Sequence, residues 1–196
     1  MTLLRGALVT LRPAGPADVE RLVAIRSTPE VHHRWGGDDL PAEVAADLTD
    51  DDLHLYVIEV DVPEGGSAAA GSAAAGSAAA GSAAAGGEVV GAVQWSSEED
   101  PQYRHAGIDI YVDPAHHGRG IGTDAVRTLA RHLLRDHGYH RLTIDPAADN
   151  AVAIACYAKV GFRPVGVMRQ YERGPDGTWH DGLLMDLLAP EFVDQP

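Results

Sequence analysis

The stretch Asp109-Ile-Tyr-Val-Asp-Pro-Ala-His-His-Gly-Arg-Gly-Ile-Gly122 reads as a strand, a stop, a glycine-rich turn and the opening of a helix. Ile108, Ile110 and Val112 alternate with Gly107, Asp109 and Tyr111, which is the period of a strand. Asp113-Pro114 ends that strand, and Gly118, Gly120 and Gly122 follow at alternate positions. Glycines let backbone N–H groups approach a ligand closely, and the following helix adds the positive end of its dipole, so the segment suits a pyrophosphate. Taken alone, the turn is also compatible with a dinucleotide fingerprint or a plain turn. A triphosphate loop requires Gly-Lys followed by Ser or Thr, which is absent. A dinucleotide fold places its glycine turn after the first strand, with an acidic residue about 20 positions on. Asp145 lies near that distance, but the turn comes late in the chain.

A second motif narrows the choice. Asp149-Asn150-Ala-Val-Ala-Ile-Ala-Cys-Tyr157-Ala-Lys-Val-Gly161-Phe162 is a short helix with a polar start and a glycine stop. Asn150, Ala153 and Tyr157 stand three and four apart and share one helix face. The glycine-turn helix, the strand from Arg141 to Asp145 and this second helix together resemble the acyl-CoA-binding core of the GNAT family of N-acetyltransferases. The resemblance spans nearly the whole chain outside residues 65–87. It implies an α/β fold with a central mixed sheet flanked by helices, and acetyl-CoA as co-substrate. Backbone groups of His117, Gly118, Arg119, Gly120, Ile121, Gly122 and Thr123 would hold the CoA pyrophosphate, and Asn150 would contact CoA. The family usually carries Gln or Arg where this chain has His117. Tyr157 would protonate the leaving thiolate. A backbone N–H near Tyr111, Val112 or Asp113 would polarise the thioester carbonyl.

The remaining chain is legible at coarse scale. Strands are expected at Ala7 to Arg12, Leu53 to Asp61, Glu88 to Ser97, Gly107 to Val112, Arg141 to Asp145, Pro164 to Arg173 and Thr178 to Leu188. Helices are expected at Pro16 to Ser27, Pro29 to Trp35, Pro41 to Leu48, Asp124 to Asp136 and around Tyr157. Gly174-Pro175-Asp176-Gly177 is a hairpin turn signal between the last two strands. Residues 66–87 repeat Gly-Ser-Ala-Ala-Ala four times and contain no large apolar side chain, so they cannot bury a core. The expected organisation is one catalytic domain over residues 1–196, with residues 65–87 a flexible loop at the tip of a β-hairpin.

Composition excludes several classes. A net charge of −14 lacks the basic footprint that a nucleic-acid backbone needs. No run of about 18 apolar residues appears, so no membrane partner is expected. One cysteine, Cys156, cannot form an internal disulfide, and no signal pattern opens the chain, so a cytoplasmic location is expected. Ten histidines invite a metal, but His32-His33 and His116-His117 are adjacent pairs that rarely converge on one ion, and no metal is expected. Monomer and homodimer both remain open.

Acceptor chemistry needs a base, because only a neutral amine attacks a thioester. Asp109 is a carboxylate in mid-strand, expensive to bury unless functional or paired. Trp35-Gly36-Gly37, Glu98-Glu99-Asp100-Pro101, Gly107-Ile108-Asp109 and Ile144-Asp145-Pro146 resemble bacterial aminoglycoside 6′-N-acetyltransferases. That resemblance implies Asp109 as the base that receives the 6′-amine. It also implies an acceptor site with Trp35, Glu98, Glu99, Asp100 and Asp145, and a cationic small-molecule amine as partner. Met168 to Glu172 and Gly177 to Asp181 are instead similar to the last hairpin of ribosomal-protein alanine and spermidine-type acetyltransferases, leaving a protein N-terminus or a polyamine as other acceptors. A non-catalytic CoA-sensing module would keep the glycine turn and lose Asp109 and Tyr157.

Overall fold

The computed structural model describes residues 2–61 and 87–194. Its strands are β1 (Leu4–Arg5), β2 (Thr10–Pro13), β3 (His54–Val60), β4 (Glu88–Glu98), β5 (His105–Val112), β6 (Arg141–Ile144), β7 (Arg163–Arg173) and β8 (Trp179–Leu188). The helices are α1 (Val19–Arg26), α2 (Pro29–Trp35), α3 (Leu40–Asp47), α4 (Ile121–Arg135) and α5 (Ala151–Val160). The strands form one sheet in the order β1-β2-β3-β4-β5-β6-β8-β7. Every neighbouring pair is antiparallel except β5 and β6. The expected mixed sheet packed by helices is therefore present.

Strand alternation sorts the core onto two faces. Ile108 and Ala106 of β5 join Leu11, Ile58, Val93 and the α4 stripe Val126, Leu129 and Leu133. Tyr111, on the opposite face, joins Leu22, Ile25 and Val31 from α1 and α2, with Val44 of α3. The α4 stripe is fully buried, and truncating one such leucine to alanine costs about 2–5 kcal/mol. No described helix is long and apolar enough to cross a membrane.

Two boundaries differ from the sequence reading for a physical reason. The first strand, expected from Ala7 to Arg12, begins only at Thr10, as β2, and a short β1 that was not expected precedes it across a tight turn in which Gly6 N–H donates to the Val9 carbonyl at 2.8 Å. The N–H groups of Ala7, Leu8 and Val9 all donate to the Asp124 carboxylate, at 3.2, 2.7 and 3.1 Å. That carboxylate draws them out of a ladder and ties the turn to α4. The second difference is the start of α4, at Ile121 instead of Asp124, so the helix begins directly on the glycine turn. The repeat lies largely within residues 62–86, outside the described residues. The strands on either side of it do pair antiparallel, closing at Val60 opposite Glu88.

Candidate active site

Strands β5 and β6 pair only at Ala106 with Leu142 and Gly107 with Thr143, then part. A cavity of about 370 Å³ opens beyond that point, lined by Asp109 and Ile110 of β5, Ile144 of β6 and the following Asp145. Asn150 and Tyr157 of α5, Arg34 and Trp35 of α2, and Tyr171 and Glu172 of β7 complete its walls. Expected residues from four separate segments thus meet: Trp35, Asp109, Asp145, and the pair Asn150 and Tyr157.

Asp109 stands opposite Gln94 of β4, is exposed, and lines this cleft. Loss of hydration at the cleft floor pushes its carboxyl up to about 6, with the charges of Asp145 and Glu172 adding to the rise and a hydrogen bond from Gln94 opposing it. Glu172 is also shifted upward, by burial first and by Asp145 second. Asp145 accepts a hydrogen bond from the Tyr171 hydroxyl at 2.6 Å. Arg34, the cation of the cavity wall, is paired with Asp149 at 2.5 Å. The cavity therefore gathers the carboxyls of Asp109, Asp145 and Glu172 around a cation that is already paired, and Asp109 is held above the usual carboxylate range.

Tyr157 is 7% exposed and packs edge-on against Phe162. Burial raises its phenol well above the usual range, with the neighbouring Cys156, Asp109 and Asp145 adding to the rise, so it is neutral and able to donate a proton. Asn150 caps α5 by accepting from Ala153 N–H at 3.2 Å, which leaves its amide N–H₂ for the cavity. Trp35 meets Tyr111 edge-on at 4.8 Å and lies beneath the Arg26 guanidinium at 5.6 Å, so it is at once packing and cavity wall.

The turn into α4 is built on glycine. Gly118 has φ +75° and Gly120 φ +81°, conformations costly for a residue with a Cβ. Gly120 is the N-cap and offers no side-chain acceptor, so the first-turn N–H groups of Ile121, Gly122 and Thr123 point outward, as an anion requires. Thr123 is turned inward, its hydroxyl 3.1 Å from Cys156 Sγ. Arg119 is exposed on the turn. His117 is committed elsewhere: its N–H donates to Pro114 O at 3.1 Å and its ring Nε2 to Val112 O at 2.8 Å. The N–H of His117, expected among the anion-holding groups, is thus engaged within the turn.

The strand alternation also sorts the backbone N–H groups at the end of β5. Asp113 N–H donates to Val90 O at 2.7 Å, toward β4. Tyr111 shares that direction, so the N–H groups of Ile110 and Val112 are the ones facing the open edge where β6 has parted.

The acidic run before β5, expected at the acceptor site, lies away from this cavity. Glu98, Glu99 and Asp100 do not line the cavity. Glu98 lies four residues along β4 from Gln94 and accepts from Asp100 N–H at 2.8 Å. Glu99 takes the Tyr139 hydroxyl at 2.5 Å and Arg104 at 3.0 Å, which lower its carboxyl to about 2. Glu172 and Tyr171 supply polar groups to the cavity instead. Sequence reasoning missed them because a β-bulge re-aims them, and strand alternation does not foretell a bulge.

The acetyltransferase (GNAT) family pattern matches residues 28–162. The chain is 37% identical over 84 residues to aminoglycoside N(6′)-acetyltransferase type 1 from Klebsiella pneumoniae, a match over 42% of this chain and 39% of that protein. It thus spans well under half the length of that relative. Among solved structures, it resembles Mycobacterium smegmatis RimJ in complex with CoA-disulfide, at 24% identity and a TM-score of 0.72, over 97% of this chain and 87% of that one. Spermidine N-acetyltransferase from Vibrio cholerae, in complex with CoA and spermine, shares the fold at 16% identity and a TM-score of 0.71, over 94% and 98% of the two chains. With a family match over more than half of its length, joined to a parted β5–β6 edge and a glycine turn opening α4, the chain belongs to the GNAT acetyltransferase family.

Proposed function

We propose that the protein transfers an acetyl group from acetyl-CoA directly to a primary amine of a cationic small molecule, foremost the 6′-amine of an aminoglycoside, as in antibiotic resistance. The observation that carries this reading is the convergence of Asp109, Asp145 and Glu172 on one cavity beside the parted strands. Acetyl-CoA would supply the acyl group as a thioester, its pyrophosphate held by Gly118 to Thr123 and its chain contacted by Asn150. The glycine conformations and the outward first turn of α4 fit that group.

In this mechanism Asp109 binds the acceptor ammonium and takes its proton, directly or through water. The freed nitrogen attacks the thioester carbon, and the N–C bond forms as the C–S bond breaks. The N–H of Ile110 or Val112 stabilises the oxygen that gains charge. Tyr157 delivers a proton to the departing sulfur, and the second proton on the acylated nitrogen passes through water to restore the phenol, giving an acetamide and free CoA thiol. Trp35 walls the acceptor side. We place the reaction in the cytoplasm, carried by the chain as one catalytic domain, as a monomer or homodimer.

A polyamine is the second reading, favoured by the same anionic cavity; a protein N-terminus uses the same chemistry. A CoA-sensing module is disfavoured because Asp109 and Tyr157 share the cavity. Thiol release from acetyl-CoA should be measured with kanamycin, spermidine and an N-terminal peptide. The highest kcat/KM is expected with kanamycin. A preference for spermidine or peptide reassigns the acceptor, and no release with any of the three favours sensing.

A further inference from the structure

The last hairpin carries a device that the acetyl-transfer chemistry does not itself require. Between Met168, opposite Gly182, and Glu172, opposite His180, β7 holds extra residues against β8. Gln170 sits at φ +51°, a conformation that non-glycine residues rarely adopt. Its N–H is held by Asp181 Oδ1 at 2.8 Å. The bulge lays the Tyr171 ring across Gly182: a Cβ on Gly182 would stand 2.8 Å from Tyr171 Cδ1. From there the Tyr171 hydroxyl reaches Asp145 at 2.6 Å, and Glu172 follows into the cavity. The same stretch of β8 is docked on the loop after Asp145, with Leu183 N–H donating to Pro146 O and Ala148 N–H to Asp181 O, each at 2.8 Å. The bulge, the bare Gly182 and the docked loop therefore serve one contact between a β7 tyrosine and a carboxylate just past β6.

We propose that Tyr171 is a positioning residue for acceptor selection, holding Asp145 so that its carboxylate meets a second cationic group of an acceptor whose reacting amine is at Asp109. This rests on the acetyltransferase reading above. Tyr171 donates only one proton to Asp145, leaving that carboxylate with further acceptor capacity for an ammonium. Left unrestrained, Asp145 gains rotamer freedom that a bound cation must then remove. An acceptor with one amine uses Asp109 alone and depends less on the contact.

The test compares kanamycin with hexylamine, a monoamine, in Tyr171→Phe, Asp145→Asn and the double variant. Tyr171→Phe is expected to raise KM for kanamycin about tenfold, the scale of one lost hydrogen bond to a charged group, with kcat within about twofold and a several-fold smaller change in KM for hexylamine. The double variant should lose little beyond Asp145→Asn alone, because both changes act through one carboxylate. Gly182→Ala, which displaces the ring without touching the hydroxyl, should reproduce the selective rise. Equal losses for both amines, a fall in kcat alone, or fully additive losses in the double variant each overturn the proposal. Calorimetric binding of kanamycin to the CoA-loaded protein separates the two readings. Wild type that binds kanamycin and releases no thiol refutes acetyl transfer. In that case an unchanged affinity in Tyr171→Phe refutes the positioning role, and a tenfold loss sustains it.

Discussion

Asp109 shows what a single poorly hydrated carboxylate in a cleft does to both activity and stability. Its carboxyl is raised to about 6, so kcat/KM for any amine acceptor should fall as pH drops through about 6, where the base becomes protonated. Asp109→Asn is expected to lower kcat/KM at neutral pH by roughly 10²-fold and to remove that acidic limb. Its residual rate should climb with pH as free amine accumulates. Stability should move in the opposite sense. The folded state holds this proton more tightly than an unfolded carboxylate titrating near 3.8, so the ionised group weakens the fold at pH 7. That penalty is relieved as pH falls from about 6 toward 3.8. Asp109→Asn should therefore raise Tm at pH 7 and change it little at pH 3.5, which scanning calorimetry at the two pH values reads directly. Wild-type activity in the variant at neutral pH with every amine would make Asp109 a structural carboxylate. The base would then be sought at Glu172 or Asp145, since Glu99 is already occupied by Tyr139 and Arg104.

The elements explain which parts of the site were readable in advance. Gly118, Gly120 and Gly122 announce the turn because their spacing and the amphipathic run after them follow from backbone geometry alone. The helix of Asn150 and Tyr157 is readable for the same reason, since three- and four-residue spacing fixes a shared face. Asp109 was legible as a carboxylate in mid-strand just upstream of the glycine turn. What was hidden depends on contacts across the chain. His117 turns back onto Val112, Glu99 is claimed by Tyr139, and the β7 bulge brings Tyr171 and Glu172 to the cavity; no local period encodes any of these. The turn itself is testable as an element. Gly120→Glu places a carboxylate where the pyrophosphate would sit, on a residue at φ +81° with Leu8 Cδ1 3.3 Å from the new Cβ. The variant should lose detectable acetyl-CoA binding in calorimetry while circular dichroism shows a folded protein. Retention of wild-type affinity would detach the phosphate role from this turn.

At the scale of the whole molecule, the sheet makes a clear demand on the repeat. Strands β3 and β4 pair from His54 opposite Trp95 to Val60 opposite Glu88, so the ends that residues 61–87 must join are already neighbours. Paired strand residues stand about 4.5–5.5 Å apart, and a two-residue Asn-Gly insertion between Asp61 and Gly87 can span that gap. Replacing residues 62–86 in this way shortens the closed loop several-fold. Loop-closure entropy then favours the fold by about 1–2 kcal/mol, which corresponds to a Tm rise of roughly 2–8 °C. The acceptor side should be indifferent to the change, because its cavity is lined from β5, β6, α2, α5 and β7. The co-substrate side is the sensitive one. The start of β4 stands beside the end of β5, where Gly91 pairs with Val112 and His116 Nε2 lies 3.6 Å from Glu88 Oε2, immediately before the glycine turn. Steady-state kinetics of the shortened protein should therefore give kcat and acceptor KM within about twofold of the parent, with KM for acetyl-CoA as the parameter to watch. An unchanged KM assigns the repeat no part in the reaction. A large rise confined to acetyl-CoA would mean that residues 62–86 contribute to holding the co-substrate, and a fall in kcat with every acceptor would extend their role to the chemical step.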